Sequence, residues 1–290
     1  MKNKLTETKC KSAIGSIDHL LRSVAWFGAI VLICASASAQ NLFVSANDSS
    51  GGKIVKFTWD GVRSTFASGL TAPYGLTFDS IGNLFVADSG SIIRFTPSGA
   101  RSIFATGLNF PIDLAFDSAG NLFVADYGSG NIYKFTPDGA RTTFASLNLP
   151  EGLAFDMAGN LFAGEVGTGH IYKFTPDGVR TIFASGFGGE INLAFGSAGN
   201  LFVSGSVGGN GVNVWKITPQ GLRTLFATGM FAPASLDFDS AGNLFVVDLG
   251  LTEAPSAIYK FKSHGKGKLF AAGEPPDDPS LEFNYLAVQP

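Results

Sequence analysis

The residues best suited to chemistry in this 290-residue chain occupy two adjacent columns of an internal repeat. The phrase recurs as YGLTF, IDLAF, EGLAF, INLAF, ASLDF and NYLAV, and two residues before its leucine stand Tyr74, Ile112, Glu151, Ile191, Ala234 and Asn284. One position further on stand Gly75, Asp113, Gly152, Asn192, Ser235 and Tyr285. A repeat written for structure alone would keep such positions alike. Here they vary, and they carry carboxyl, amide, hydroxyl and phenol groups able to hydrogen-bond a ligand. Tyr74, Asp113, Glu151, Asn192, Ser235, Asn284 and Tyr285 are therefore candidate ligand-binding residues. A third column reads Thr77, Ala115, Ala154, Ala194, Asp237 and Ala287, so one carboxylate interrupts a row of small side chains. Desolvation raises the pKa of such a group unless water, a cation or a donor such as Thr77 is near. Asp237 joins the set as the holder of a water or ion.

Other polar residues carry less. His170 replaces the Asn131 of the preceding copy at the start of a strand, a position where histidines are commonly solvated. His264 sits in a polar SHGKGK loop. Asp88, Asp126, Glu165 and Asp248 resemble a ligand ring, but Ala46 and Gly205 break it. These acids precede Gly-rich turns, which predicts hydrogen bonds to backbone N–H groups. Lys56, Arg94, Lys134, Lys173, Lys216, Lys260 and the series Arg63, Arg101, Arg141, Arg180, Arg223 are spread over every copy. They read as guards of strand faces and edges, not as one anion patch. No Ser-His-Asp arrangement and no phosphate-cradling motif is present.

The elements that must position these residues come from the repeat. Asn-Leu-Phe starts at Asn41, Asn83, Asn121, Asn160, Asn200 and Asn243, with spacings of 42, 38, 39, 40 and 43. Copies of about 40 residues indicate a propeller or solenoid. Each copy holds four short apolar stretches of strand length, such as GLAFD, NLFVAD, IYKF and RTTFAS. The FDSAGN segments open on Asp79, Asp117, Asp156 and Asp239, with Gly196 the exception, and the TPDG segments close tight turns. Each copy is thus predicted to be a four-stranded antiparallel meander. Recurring phenylalanines, such as Phe123, Phe135, Phe144 and Phe155, give the sheets aromatic faces that must stack. Radial stacking makes a β-propeller. The first copy lacks its first strand, and FNYLAVQP at 283–290 supplies one with nothing after it. The expectation is an all-β, six-bladed propeller over 41–290, closed by the carboxy-terminal strand completing the first blade.

Residues 1–39 read differently. Lys2, Lys4, Lys9, Lys11 and Arg22 precede an apolar run ending in Ala37-Ser38-Ala39, the pattern of a cleaved secretory signal. From Val24 to Ala39 the run is 16 residues, short of the ~20 a permanent span needs. A retained signal-anchor is the alternative reading. This segment carries five basic and two acidic side chains, so its removal takes the net charge from −3 to −6. Such a surface gives no basic field for nucleic acid. Cys10 and Cys34, the only cysteines, both fall within it, so the exported chain has no disulfide and no thiol nucleophile. A secreted or periplasmic monomer follows.

The phrase PxGLAFDxxGNLFVAD, followed by a Gly-rich turn and IYKFTPDG, resembles the NHL repeat and the SMP-30/gluconolactonase propellers. The resemblance covers the whole chain after residue 40. It implies a six-bladed propeller but no one activity, because the group includes calcium-dependent lactonases, virginiamycin B-type lyases and non-catalytic binding modules. For SMP-30-like enzymes it implies a divalent ion at one mouth of the channel, held by Glu, Asn and Asp. Glu151, Asn284, Asp113 and Asn192 are the positions that could take that role, with Ca²⁺ or another hard cation bound through oxygen. The PDG and PNG forms of the lactonases are replaced here by Pro111-Ile112-Asp113 and Glu190-Ile191-Asn192. The first expectation is therefore a non-catalytic module, with no required cofactor, that binds a small molecule, glycan, peptide or cell-envelope component at the loop-bearing mouth. The alternative is a metal-dependent lactonase or esterase, in which the ion polarises a carbonyl.

Overall fold

The computed structural model describes residues 40–209, 211–250, 255–272 and 281–290; the expected signal at 1–39 lies outside the described residues. Six antiparallel sheets follow one another along the chain. Blade 1 consists of Glu282–Val288, Leu42–Asp48, Gly51–Phe57 and Arg63–Leu70, so the carboxy-terminal strand does complete the first blade. Its register pairs Leu42 with Val288, Phe43 with Ala287 and Val44 with Leu286. Gln289 N donates to Asn41 O at 2.9 Å, extending the closure past the last ladder pair. The innermost strands of the other blades are Pro73–Phe78, Pro111–Phe116, Pro150–Phe155, a broken strand in blade 5, and Pro233–Phe238 in blade 6. In blade 5 the innermost position is shared by Phe187–Gly188 and Leu193–Phe195. The proline that opens the other four strands is replaced there by Glu190-Ile191, after Gly189 at φ +73°.

The Asn-Leu-Phe phenylalanine is what joins the blades. Phe123 meets Phe144 of its own blade at 5.0 Å and Phe155 of the next blade at 5.1 Å, both edge-on. The same pair of contacts recurs around Phe43, Phe85, Phe162 and Phe202. Phe245 faces the closing strand, which offers Val288 where the others offer phenylalanine, and Trp59 stacks on it at 5.1 Å instead. Each edge-on pair adds about 0.5–1.5 kcal/mol beyond the area it buries.

Turns fix the strand order. Asp117 Oδ1 accepts from Asn121 N at 2.8 Å and Oδ2 from Asn121 Nδ2 at 2.8 Å, with Gly120 at φ +80°. Asp79, Asp156 and Asp239 repeat this. Gly196 keeps only the backbone bond, Gly196 N to Asn200 O at 3.0 Å. The arginines do more than guard edges. Arg101, Arg141 and Arg223 donate to Gly69 O, Gly107 O and Ser185 O, each on the preceding blade, at 3.0, 3.0 and 3.1 Å. Among the described residues no helix is long and apolar enough to cross a membrane.

Candidate functional site

The inner strands run along the channel, and the eight candidate residues fall into two groups. Tyr74, Glu151, Asn284 and Tyr285 lie at the leading ends of the strands, beside the loops. Asp113, Asn192, Ser235 and Asp237 line a cavity of about 320 Å³ further along the channel.

The leading ends of the inner strands are buried, with Ile112, Glu151, Ile191, Ala234 and Tyr285 all at most 9% exposed. Glu151 Oε2 accepts from Ile191 N at 2.8 Å, reaching from blade 4 to blade 5. Burial pushes its pKa up to about 8, against that hydrogen bond and with help from the charges of Glu190 and Asp113. Burial thus favours its neutral form at pH 7. Asn192 stands alongside, yet neither Glu151 Oε1 nor Asn192 Nδ2 has a hydrogen-bond partner of good geometry. The Tyr285 phenol is raised well above its usual range by burial, then by the charges of Glu151, Asp113 and Glu190. Asn284 Nδ2 donates to Pro73 O at 3.3 Å, tying blade 1 to blade 2.

Beside these buried residues runs a row of aromatic rings. Tyr285 lies 6.1 Å from Tyr74, Tyr74 lies 4.9 Å from Phe110, and Phe110 lies 6.0 Å from Tyr127. Phe110 is 42% exposed and held at φ +64° immediately before Pro111. Left-handed backbone is a genuine outlier for a bulky residue. Two bonds impose it: Asn109 N donates to Asp126 Oδ1 at 2.8 Å, and Tyr127 N donates to Phe110 O at 3.1 Å. The second-strand acids thus bond backbone N–H groups as expected, with Asp88 holding Thr71 and Ala72, Glu165 holding Asn148, and Asp248 holding Phe231 and Ala232. Phe110, Tyr127 and Glu190 were not among the residues singled out by column. Their signal was an aromatic before Pro111 where other copies have Ala72, Leu149 and Ala232, and an acid at Glu190 where they have proline.

In the cavity, Asp113 and Asp237 share one arrangement. Asp113 Oδ1 accepts from Leu114 N at 2.8 Å and Oδ2 from Leu153 N of the next blade at 2.7 Å. Asp237 Oδ1 accepts from Phe238 N at 2.7 Å and Oδ2 from Val288 N of the next blade at 2.8 Å. The donors to Asp237 are backbone groups and not Thr77. Burial pushes Asp113 up to about 7, against those two N–H bonds and with a contribution from the charge of Asp237; burial likewise pushes Asp237 up to about 6. Ser235 Oγ accepts from Leu286 N at 3.1 Å. Both aspartates are half-buried, and their open side is the cavity.

The residues implied as metal ligands by the SMP-30 resemblance are partly engaged within the protein. Each oxygen of Asp113 accepts one backbone N–H group, Asn284 donates through Nδ2 to Pro73 O, and Asn192 Nδ2 lies beside Glu151, which leaves the amide oxygens of both asparagines as the atoms that could face an ion. Only Glu151 Oε1 is an unengaged carboxylate oxygen in the set, on a group that burial keeps protonated. Among the described residues no group of three His, Cys, Asp or Glu could hold an ion. His170 lies on a third strand, outside the channel lining. Its Nδ1 meets Thr168 Oγ1 at 2.9 Å and Tyr172 OH at 3.3 Å.

No family model and no curated protein matches the chain. Solved structures do. A gluconolactonase from Xanthomonas campestris aligns with a TM-score of 0.62 at 17% identity, covering 74% of this chain and 79% of its own. A protein of unknown function from Bacteroides caccae gives 0.62 at 14% identity, covering 87% and 99%. Virginiamycin B lyase from Staphylococcus aureus gives 0.55 at 18% identity, covering 68% and 69%. Identities this low speak for the fold alone: the chain is a six-bladed β-propeller of the kind seen in gluconolactonases and virginiamycin B lyases.

Proposed function

We propose that this protein is an exported, non-catalytic β-propeller that binds a neutral carbohydrate at the loop-bearing mouth of its channel. The observation that carries the reading is Phe110. Strain of this kind costs about 1–3 kcal/mol and persists only where the surroundings impose it. Leu149 takes the same backbone before Pro150, at φ +61°, so what is particular to Phe110 is that the conformation presents a half-exposed aromatic ring beside Tyr74 and Tyr127. Rings flanked by a few polar groups suit the apolar faces and hydroxyls of a sugar. Burial favours the neutral form of the Glu151 carboxyl at pH 7, so a cationic ligand would find no counter-charge from it.

The test is calorimetric titration with neutral, acidic and basic oligosaccharides, repeated for Phe110→Gly. Glycine takes positive φ without steric cost, so this variant removes the ring and keeps the backbone. Neutral glycans should bind in the presence of EDTA, at least tenfold more weakly in the variant. Equal binding by the variant sinks the reading. The alternative is lactone or lyase chemistry of the kind named for the neighbours. Turnover of sugar lactones that requires added Ca²⁺ would replace the proposal with it.

A further inference from the structure

The turn between the third and fourth strands recurs as TWDG, TPSG, TPDG, TPDG, TPQG and, in blade 6, KSHG. In the first four the threonine hydroxyl bonds the side chain two residues on, at Asp60, Ser98, Asp138 and Asp177. Blade 6 makes the same backbone turn without that pair. Gly265 N donates to Lys262 O at 2.9 Å and Lys262 N to Lys266 O at 3.0 Å, against 2.8 and 3.0 Å for the matching bonds at Thr136. The turn itself therefore does not call for Lys262, His264 or Lys266.

These three side chains, with Lys260 and Lys268, line one groove of about 650 Å³. Its aromatic wall is Phe270 together with Trp59, which comes over from blade 1 at the seam where the ring closes and stacks on Phe245 of blade 6 at 5.1 Å. Four of the nine lysines after residue 39 meet in this groove, on a chain that is net negative. Lys260 is compensated, with Nζ 3.3 Å from Asp239 Oδ2 and 4.7 Å from the centre of the Trp59 ring. Among the described residues Lys262, Lys266 and Lys268 have no acidic partner, and no Asp or Glu lines the groove. Like charges gathered at one cavity repel, so the fold holds them together at a cost that a bound anion removes.

The groove lies on the face away from Phe110. Because the strands of a blade are antiparallel, the turns joining first to second and third to fourth strands share one end, and the loops leading into the inner strands share the other. Asn243, of the first-to-second turn, also lines the groove. Flexible ammoniums beside an imidazole suit a compact, multiply charged group. Lysine meets phosphate as a point charge, and a phosphate monoester carries about −1.5 to −2 at pH 7 on three acceptor oxygens. A single carboxylate would leave most of these lysines uncompensated.

We propose that this groove binds a phosphate monoester, its oxygens among Lys262, Lys266 and Lys268 and its organic part against Trp59 and Phe270. A soluble sugar or aryl phosphate and the headgroup of phosphatidic acid offer the same chemistry. The site is independent of the carbohydrate reading of the mouth.

The test is titration calorimetry of the purified protein at pH 7.5 and about 0.15 M salt, where long-range attraction between exposed charges is screened. The probes are phenyl phosphate, phenyl sulfate and inorganic phosphate. Phenyl phosphate should bind saturably at one site. Phenyl sulfate, with less charge, and inorganic phosphate, without the ring, should each bind at least fivefold more weakly. Lys266→Gln combined with Lys268→Gln should cost at least tenfold; both side chains are exposed, so the fold is spared. Arg94→Gln, which removes a charge from blade 2, should leave the affinity unchanged, as should Phe110→Gly, so this site and the carbohydrate reading fail separately. Co-sedimentation with phosphatidylcholine vesicles holding phosphatidic acid, in excess of that with phosphatidylglycerol, would assign the ester to a lipid; binding of phenyl phosphate without such sedimentation would assign it to a soluble ligand. No saturable binding of phenyl phosphate, equal binding of phenyl sulfate or inorganic phosphate, full binding by the lysine double variant, or an equal loss in Arg94→Gln would each overturn the proposal.

Discussion

Replacing Asp113 with asparagine should flatten the pH dependence of stability. In the folded protein this carboxyl is pushed from 3.8 up to about 7 by burial, against hydrogen bonds from Leu153 and Leu114, with Asp237 opposing its ionisation from across the axis. Between those two pH values the folded state holds a proton that the unfolded chain has released, so stability falls as pH rises through the window and levels off above it. At 1.36 kcal/mol per unit, the destabilisation from this one group grows from about 1.6 kcal/mol at pH 5 to about 4 kcal/mol at pH 8. The loss across that interval is about 2.5 kcal/mol. For a chain of this size, with about 2–4 °C per kcal/mol, the melting temperature should fall by roughly 5–10 °C on account of Asp113 alone. Glu151 and Asp237, also raised, add to the slope in the wild type. The substituted amide of Asp113→Asn cannot ionise. Its nitrogen must face one of the two N–H groups the carboxylate accepted, so the variant should be less stable at pH 5 and lose less on going to pH 8. Thermal melts of both proteins at half-unit steps from pH 5 to 8 measure this. Parallel profiles would refute the reasoning, because they would mean that Asp113 ionises in the folded protein as readily as in the unfolded chain.

Phe123→Ala should cost about 3–5 kcal/mol by chemical denaturation, as expected for a buried ring that bridges two blades; Phe231→Ala, on a ring 55% exposed, should cost well under about 1 kcal/mol. Deleting residues 281–290 removes the strand paired with Leu42–Asn47 and should lower the melting temperature of the whole ring in one cooperative step, whereas an unchanged melt would contradict the closure. Arg141→Ala gives up the bond to Gly107 O and the stack on Tyr133, and should cost about 0.5–1.5 kcal/mol, checked by the denaturation midpoint. The mature protein recovered from an exporting host should begin at Gln40, as read by intact mass; a mass retaining residues 1–39 would favour a signal-anchor.

The repeat phrase by itself determined the architecture. A turn aspartate bonding the asparagine four residues on, a glycine at positive φ and alternating apolar residues are local requirements, so their recurrence every 40 residues or so could be read along the chain. Closure was legible for the same reason: a strand missing at one end and a spare one at the other leave a single arrangement that pairs both. The second and third columns stand two residues apart and so share a strand face, the one by which Asp113, Asn192, Ser235 and Asp237 line the cavity.

Depth and partnership were not legible. Even one column divides: Tyr285 is buried away from the cavity, whereas Asp113, Asn192 and Ser235 of the same column line it, together with Asp237 two residues further along its strand. What a carboxylate does there depends on backbone N–H groups of the next blade, 40 residues on from Asp113 and 51 on from Asp237, which no local pattern encodes. Phe110 was missed because its ring is set beside Tyr74 and Tyr127 by a backbone angle held through Asp126 and Tyr127, which no column of the repeat records. Local sequence determined the blades because turns and alternation act over a few residues. The chemistry of the channel was decided only when the ring closed, because its electrostatics belong to groups brought together from different blades.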